Sequence, residues 1–213
     1  MKKTTLFSTA ILTTCLCFNS CGTPGTTGTT TQTTTADAVS GLLGSLLGGL
    51  LSSTMTEQTL IGTWTYQAPE VRFESENLLA KAGGEVAAAS IEQKLATYLQ
   101  KVGITKGATT YTFNSDKTFT IQTGSRTIST GTYTFDANNK ILKMQGTLGL
   151  MNQTCTVGMD GTNLCLLYDA DKMLTAVNAL GTFLGKSNST LGSVASVLGS
   201  NYKGMKLGFK MAK

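Results

Sequence analysis

Alternating apolar and polar positions in the second half of the chain predict a series of short β-strands joined by hairpins. The segments TTYTFNSDKTFTIQTG and STGTYTFDANNKILKMQG place apolar side chains at every second position, and their turns, at residues 114–117 and 136–139, contain Asn and Asp. A third hairpin spans residues 148–168 and turns at residues 159–161, and YKGMKLGFKMAK supplies the last strand. Because short turns link these strands, we expect antiparallel pairing.

Helical spacing interrupts this strand pattern in two places. The first strand begins in LIGTWTY and is expected to end at Pro69, and a helix then follows from a Ser75 cap to Gly103. Two further helices, over residues 171–184 and 189–198, precede the last strand. The total is about eight strands, a number that closes into a barrel and hides its edges, although an open sheet or a sandwich satisfies the same alternation.

A Leu- and Gly-rich segment, residues 39–58, precedes the first strand and has a one-sided helical pattern. Asp37 is placed to cap this helix. Its glycines lower helix propensity by up to about 1 kcal/mol each, so the helix needs a surface on which to lie. Two interpretations are open: the helix packs on the domain or plugs an opening in it, or it binds a membrane surface or a partner.

The first 20 residues have the three-part plan of a secretory signal, with two lysines, an apolar run too short to remain as a membrane span, and small or polar residues. The sequence Phe18-Asn19-Ser20-Cys21 resembles the lipobox of bacterial lipoproteins. This resemblance implies cleavage before Cys21, lipid attachment to Cys21, and a chain held at the membrane by that lipid. The alternative is an ordinary cleaved signal with an incidental cysteine.

Residues 21–38 are expected to form a disordered tether, because they are rich in threonine and have no hydrophobic periodicity. Gly22 is not the aspartate that retains many lipoproteins at the inner membrane. By analogy with lipoproteins, we expect attachment to the outer membrane of the cell envelope, facing the periplasm.

The motif Gly62-Thr63-Trp64, followed by a meander of hairpins, resembles the lipocalins, in which Gly-x-Trp opens an up-and-down barrel and the Trp closes one end. LIGTWTY, YTFNSDKTFTI, GTYTFDANNKILKM and YKGMKLGFKMAK together resemble a lipocalin-like domain family of uncharacterised Gram-negative lipoproteins, over roughly residues 36–213. The resemblance implies a mainly β fold: an antiparallel lipocalin-like barrel of about eight strands over residues 59–213, with helical insertions after strand 1 and before the last strand.

The inward-facing residues of such a barrel have two interpretations. They line a pocket for a small apolar ligand, or they fill the barrel as an ordinary core. The candidates are Trp64, Tyr66, Tyr111, Phe113, Phe119, Ile121, Tyr133, Phe135, Met205, Leu207 and Phe209.

Composition narrows the classes of function. The chain has no histidine, which removes the commonest general base near neutral pH and every zinc site that contains histidine. Acidic residues form no recognisable catalytic pair, so we expect a protein that is not an enzyme and that has no metal or cofactor. The net charge of +5 becomes +3 once Lys2 and Lys3 leave with the signal. The lysines of the last strand are expected to be a solvated outer face, with no nucleic-acid partner.

Cys155 and Cys165 flank Asp160 at equal distances in the sequence. A three-residue loop centred there would place the two cysteines opposite one another, within reach of a disulfide that export permits. A two-residue loop would put them out of register and leave two small buried thiols.

Together these features predict a lipid-anchored, non-enzymatic envelope protein whose barrel binds a small apolar molecule. The alternative is a structural or assembly partner in the cell envelope that uses the Leu-rich helix or the helical insertions as contact surfaces.

Overall fold

The computed structural model describes residues 46–51, 54–81, 83–147, 152–183 and 204–213, all of which belong to one compact unit, residues 34–213. The predicted signal peptide, the lipidation site Cys21, the tether and residues 39–45 of the Leu-rich helix lie outside the described residues. The helix predicted over residues 189–198 also lies outside them.

Eight antiparallel strands close into a barrel in which each strand pairs with its neighbour in sequence and the last pairs with the first. This up-and-down order confirms the predicted fold class and removes the open sheet and the sandwich. The strands are β1 (Gly62–Phe73), β2 (Thr109–Phe113), β3 (Thr118–Thr123), β4 (Arg126–Asp136), β5 (Ile141–Gly146), β6 (Gln153–Asp160), β7 (Asn163–Asp169) and β8 (Met205–Ala212).

Five helices occur in the described part of the chain: α1 (Leu47–Leu51), α2 (Glu57–Leu60), α3 (Glu76–Lys81), α4 (Gly84–Lys101) and α5 (Ala170–Phe183). The single helix predicted between Ser75 and Gly103 is therefore wrong, because α3 and α4 are separate. Gly83 and Gly84 both have positive φ, 100° and 74°, and a right-handed helix cannot continue through that conformation. Ser75 does cap α3, since its Oγ accepts a hydrogen bond from the Leu78 amide at 3.4 Å.

β1 continues past Pro69 to Phe73, which corrects the prediction that the strand ends at the proline. Beyond the bulge at Gln67 this strand pairs with β8, and α4 packs against β1. The Val71 amide points away from β8 and donates to the Glu92 carboxylate of α4 at 3.2 Å. Pro69, two residues earlier, has the same orientation, so its missing N–H removes no hydrogen bond from the β1–β8 ladder.

Apolar side chains from all eight strands fill the barrel interior. Trp64 is buried at one end, where its indole N–H donates to the Leu60 carbonyl of α2 at 2.8 Å. The Lys213 ammonium lies 4.8 Å from the centre of the Trp64 ring, a cation–π distance. This end is therefore closed by the tryptophan, as the lipocalin resemblance implies.

Across its described residues the protein has no helix that combines the length and the apolar character needed to cross a bilayer.

Candidate functional site

A cavity of about 20 Å³ lies between the aromatic core and α5. Tyr111, Tyr168 and Phe209 contribute strand residues to its wall, and Met173 and Val177 contribute residues of α5. A volume near 20 Å³ is about what a single water molecule needs. The residues that line the cavity are Ile104, Tyr111, Gln153, Tyr168, Met173, Ala176, Val177 and Phe209.

Two phenol hydroxyls and a thiol meet beside this cavity. Tyr168 is 3% exposed, and its hydroxyl makes no hydrogen bond of standard geometry, although it faces the Tyr111 hydroxyl and the Cys155 thiol. Burial raises the pKa of both phenols well above the usual range and raises the pKa of Cys155 to about 12. All three groups are therefore neutral and protonated near pH 7, so each has a hydrogen to donate.

Phe209 forms the aromatic floor of the site. Its ring centre lies 5.5 Å from that of Tyr66, 6.0 Å from that of Tyr111 and 6.1 Å from that of Tyr168. Two of these pairs, with Tyr66 and Tyr168, are edge-to-face contacts, a favoured arrangement of aromatic rings. The site thus combines an apolar floor with neutral polar groups at one side.

Ten of the eleven residues predicted to face the interior are buried, and two of them, Tyr111 and Phe209, line the cavity. The eleventh, Phe135, is half-buried and borders an open depression of about 350 Å³. In the described part of the chain, the walls of that depression come from a single hairpin, β4–β5, and no second described element encloses a ligand there. Whether any of the eleven contacts a ligand stays a prediction.

The sequence matches the lipocalin-like domain family DUF4923 over residues 33–213. The chain belongs to this family. Among solved structures, the DUF4923 chain is similar to a DUF4847 family protein from Bacteroides vulgatus ATCC 8482, with 15% identity and a TM-score of 0.32. That similarity covers 70% of this chain and 91% of the other, and it is too low to support an argument. None of the curated proteins matches the DUF4923 chain.

Sequence reasoning missed Tyr168, the most informative residue of the DUF4923 cavity. The strand LCLLY is apolar at successive positions, which hides the alternation of Leu164, Leu166 and Tyr168 into the barrel. Following that register from Leu164 would have found it. Ile104 in a loop and the α5 residues carry no such signal, because only the closed barrel brings them to the cavity.

Of the two alternatives for Cys155 and Cys165, a disulfide or two small buried thiols, the structure shows the second, since both thiols are free and buried. The hairpin turn contains two residues, so Asp160 pairs with Asn163 and Cys165 lies opposite Gly158. Cys155 belongs to the core inside the DUF4923 barrel, whereas Cys165 packs outside it with Leu47, Leu50 and Leu167. Side chains on opposite faces of a sheet cannot be bridged.

A cluster of charges lies on the outer face of the same barrel. Arg72 contacts Glu70 at 2.5 Å and Asp160 at 3.3 Å, and the Lys210 ammonium lies 3.2 Å from Glu70 and 2.8 Å from Asp160. Glu70, Asp160 and the Cys165 thiol place their ligand atoms within 4.8 Å of one another, a donor set that divalent metals use. Because Arg72 and Lys210 already neutralise both carboxylates, the geometry favours an ion-pair network over a metal site.

Proposed function

We propose that the chain is a lipid-anchored, non-enzymatic protein of the bacterial cell envelope whose lipocalin-like barrel binds a small, mostly apolar molecule. The observation that carries the binding proposal is the cavity beneath α5, where an aromatic floor meets the buried Tyr168 hydroxyl, which makes no hydrogen bond of standard geometry with the described residues. Apolar walls with a few placed polar groups are typical of small-molecule sites.

The volume of the cavity limits how a ligand enters. About 20 Å³ holds a single atom group, so a larger ligand requires α5 to move outward. The cover consists of Met173, Ala176 and Val177, which lie beyond the end of β7. Displacing this helix breaks no hydrogen bond between strands, which makes α5 the element best suited to act as a cover.

Binding is tested with N-phenyl-1-naphthylamine, a neutral apolar fluorophore, on the full chain. Val177→Phe places a larger side chain in the cavity wall, and Val86→Phe is its matched control, because Val86 is 83% exposed on α4. We expect affinity for the fluorophore to fall about tenfold or more in Val177→Phe and to stay unchanged in the control. No binding to the wild type, or equal binding to both variants, would contradict a site beneath α5. Native mass spectrometry of protein purified from its own envelope would identify the natural occupant.

The anchoring proposal is supported by the signal-like N-terminus and by the lipobox resemblance at Cys21. Attachment to the outer membrane, facing the periplasm, is part of this proposal. In cells grown with labelled palmitate, Cys21→Ala is expected to abolish labelling of the protein and its recovery in the membrane fraction. Cys17→Ala, within the signal, is expected to leave both intact. Unchanged labelling of Cys21→Ala would refute the anchor and leave the barrel site untouched.

The alternative function, an assembly partner that uses the Leu-rich helix, has less support. Leu47 and Leu50 are buried against the barrel, so those described side chains of the helix are not available to a partner while α1 stays in place.

A further inference from the structure

We propose that the barrel site selects ligands that carry a neutral hydrogen-bond acceptor, such as a ketone or ester oxygen, held by the hydroxyls of Tyr168 and Tyr111. Carboxylates are disfavoured in this site. This inference rests on the proposed function and names the class of ligand that the site takes.

The Tyr168 hydroxyl creates the need for an acceptor. It is buried at the wall of the cavity and makes no hydrogen bond of standard geometry with the described part of the chain, and a buried polar group whose hydrogen bonds are not satisfied destabilises the protein. If Tyr111 and Tyr168 hydrogen-bond to one another, one of the two O–H groups is left to donate, and the Cys155 sulfur beside them is only a weak acceptor. A ligand oxygen placed in the cavity would accept that hydrogen. In the ligand-free protein a single water molecule fits the same volume.

The charge of the surroundings favours a neutral acceptor over an anion. None of the eight described residues in the cavity wall is basic. Arg72, Lys206 and Lys210 alternate along their strands with interior residues and therefore point to the outer face, where they pair with carboxylates. A buried carboxylate without a cation is strongly disfavoured, and the neutral phenols cannot replace that cation.

The remaining walls define the rest of the ligand. Phe209 presents an aromatic surface, and Ile104, Met173 and Val177 are apolar, so among the remaining described residues of the wall only the Gln153 amide could pair with a second polar group of the ligand. The expected ligand has one acceptor that enters first and an apolar body that lies between the barrel and α5.

Three probes of equal length separate the contributions of the apolar body, a neutral acceptor and a negative charge to binding: octane, octan-2-one and octanoate. Their affinities for the full chain are measured at pH 7 by displacement of N-phenyl-1-naphthylamine. We expect the Tyr168 hydroxyl to raise the affinity for octan-2-one, relative to that for octane, about fivefold to tenfold, as one buried hydrogen bond allows, and octanoate to bind most weakly.

Tyr168→Phe removes the donor and keeps the ring. Its matched control is Tyr98→Phe, because the Tyr98 hydroxyl is also buried without a partner but lies on α4 and does not line the cavity. We expect Tyr168→Phe to lower the affinity for octan-2-one about fivefold to tenfold while the affinity for octane stays the same. Tyr98→Phe should change neither value.

The outcomes separate this inference from the proposed function. If none of the three probes binds the wild type, both fail. If Tyr168→Phe changes the affinity for octan-2-one no more than the affinity for octane, or octanoate binds best, the acceptor inference is overturned while barrel binding stands. Should Tyr168→Phe not fold, Tyr111→Phe takes its place, and an unchanged affinity for octan-2-one in that variant counts against the pair of hydroxyls.

Discussion

The outside of the barrel has two contrasting faces. The first, which we name the threonine face, belongs to the start of β1 and to β2, β3 and β4, and its outward positions are uncharged apart from Asp136 at the end of β4. The second, the covered face, belongs to the end of β1 and to β6, β7 and β8; it carries α1 and the ion pairs. The threonine face consists of Thr63, Thr65, Thr110, Thr112, Thr118, Thr120, Gln122, Thr127, Thr130, Thr132 and Thr134.

Threonine suits a solvated strand because its branched side chain fits the pleat and its hydroxyl bonds across strands. The register aligns Thr63, Thr112, Thr120 and Thr130 in one row, and the Thr63 and Thr112 hydroxyls lie 3.0 Å apart. Such pairs contribute about 0.2–1 kcal/mol each, so stability on this face is spread over many small contacts. On the covered face, stability depends on a few buried groups. We expect the covered face to tolerate substitution far less than the threonine face.

The largest expected effect is at Arg72, whose side chain is 6% exposed against Glu70. Arg72→Met leaves the buried Glu70 with Lys210 alone, and breaking a buried pair costs about 3 kcal/mol or more of the free energy of unfolding, measured by denaturant titration. The control is Lys172→Met, which breaks the exposed ion pair with Asp169 and should leave stability unchanged. Equal small effects at both sites would mean that the Glu70–Arg72 pair is as hydrated as the exposed one.

The next effect is at Gly158, where β6 passes under α1. A Cβ atom there would lie 2.8 Å from the Leu50 carbonyl oxygen, so Gly158→Ala must push α1 away. We expect this to lower the free energy of unfolding by about 1–3 kcal/mol. Maleimide should then label Cys165, beneath α1, faster than in the wild type, and should still not label Cys155 inside the barrel. Gly48→Ala, which meets nothing within 4 Å on the same helix, should leave Cys165 protected. Equal labelling of both cysteines would indicate global unfolding instead of release of α1.

A smaller effect is expected from pH, through the Cys165 thiol that is buried on the covered face. Burial raises the pKa of Cys165 from 9.0 to about 12. The folded state therefore binds the thiol proton more tightly than the unfolded state does. The stability that comes from this tighter binding is fully present below pH 9 and is lost as pH rises toward 12. Relative to Cys165→Ala, the free energy of unfolding of the wild type, measured by denaturant titration, should fall by about 1.4 kcal/mol between pH 8 and pH 10. A difference that stays constant over this range would contradict the buried thiol.

The strands of the threonine face could be predicted from the sequence because local alternation and turn residues determine them. Tyr111 and Phe113 on β2, and Phe119 and Ile121 on β3, alternate with threonine on either side of a turn that contains Asn and Asp. Neither strand needs a distant contact to be recognised, and both lie where the pattern indicates.

The covered face and the cavity could not be predicted, because they depend on long-range contacts. Lys206 and Lys210 look like solvated lysines in the sequence, yet each contacts carboxylates brought in from other strands. A disulfide and two free thiols both stayed open for Cys155 and Cys165 for a local reason, since a turn one residue shorter reverses which face the next strand presents, and the turn residues allow either length. The surroundings of Tyr168 could not be read from the sequence, because Tyr111, Cys155 and α5 come next to it only when the barrel closes.

The smallest expected effect belongs to the threonine face. Thr112→Val keeps the branched shape of the side chain and removes the hydroxyl that contacts Thr63, which water replaces at that position. The free energy of unfolding, measured by denaturant titration, should change by no more than about 0.5 kcal/mol. Thr156→Val is a useful comparison, because Thr156 is buried on the other side of the barrel and should respond more strongly. A loss above about 1.5 kcal/mol at Thr112 would be the size expected for a hydroxyl removed from water, and it would show that another surface covers this face in solution.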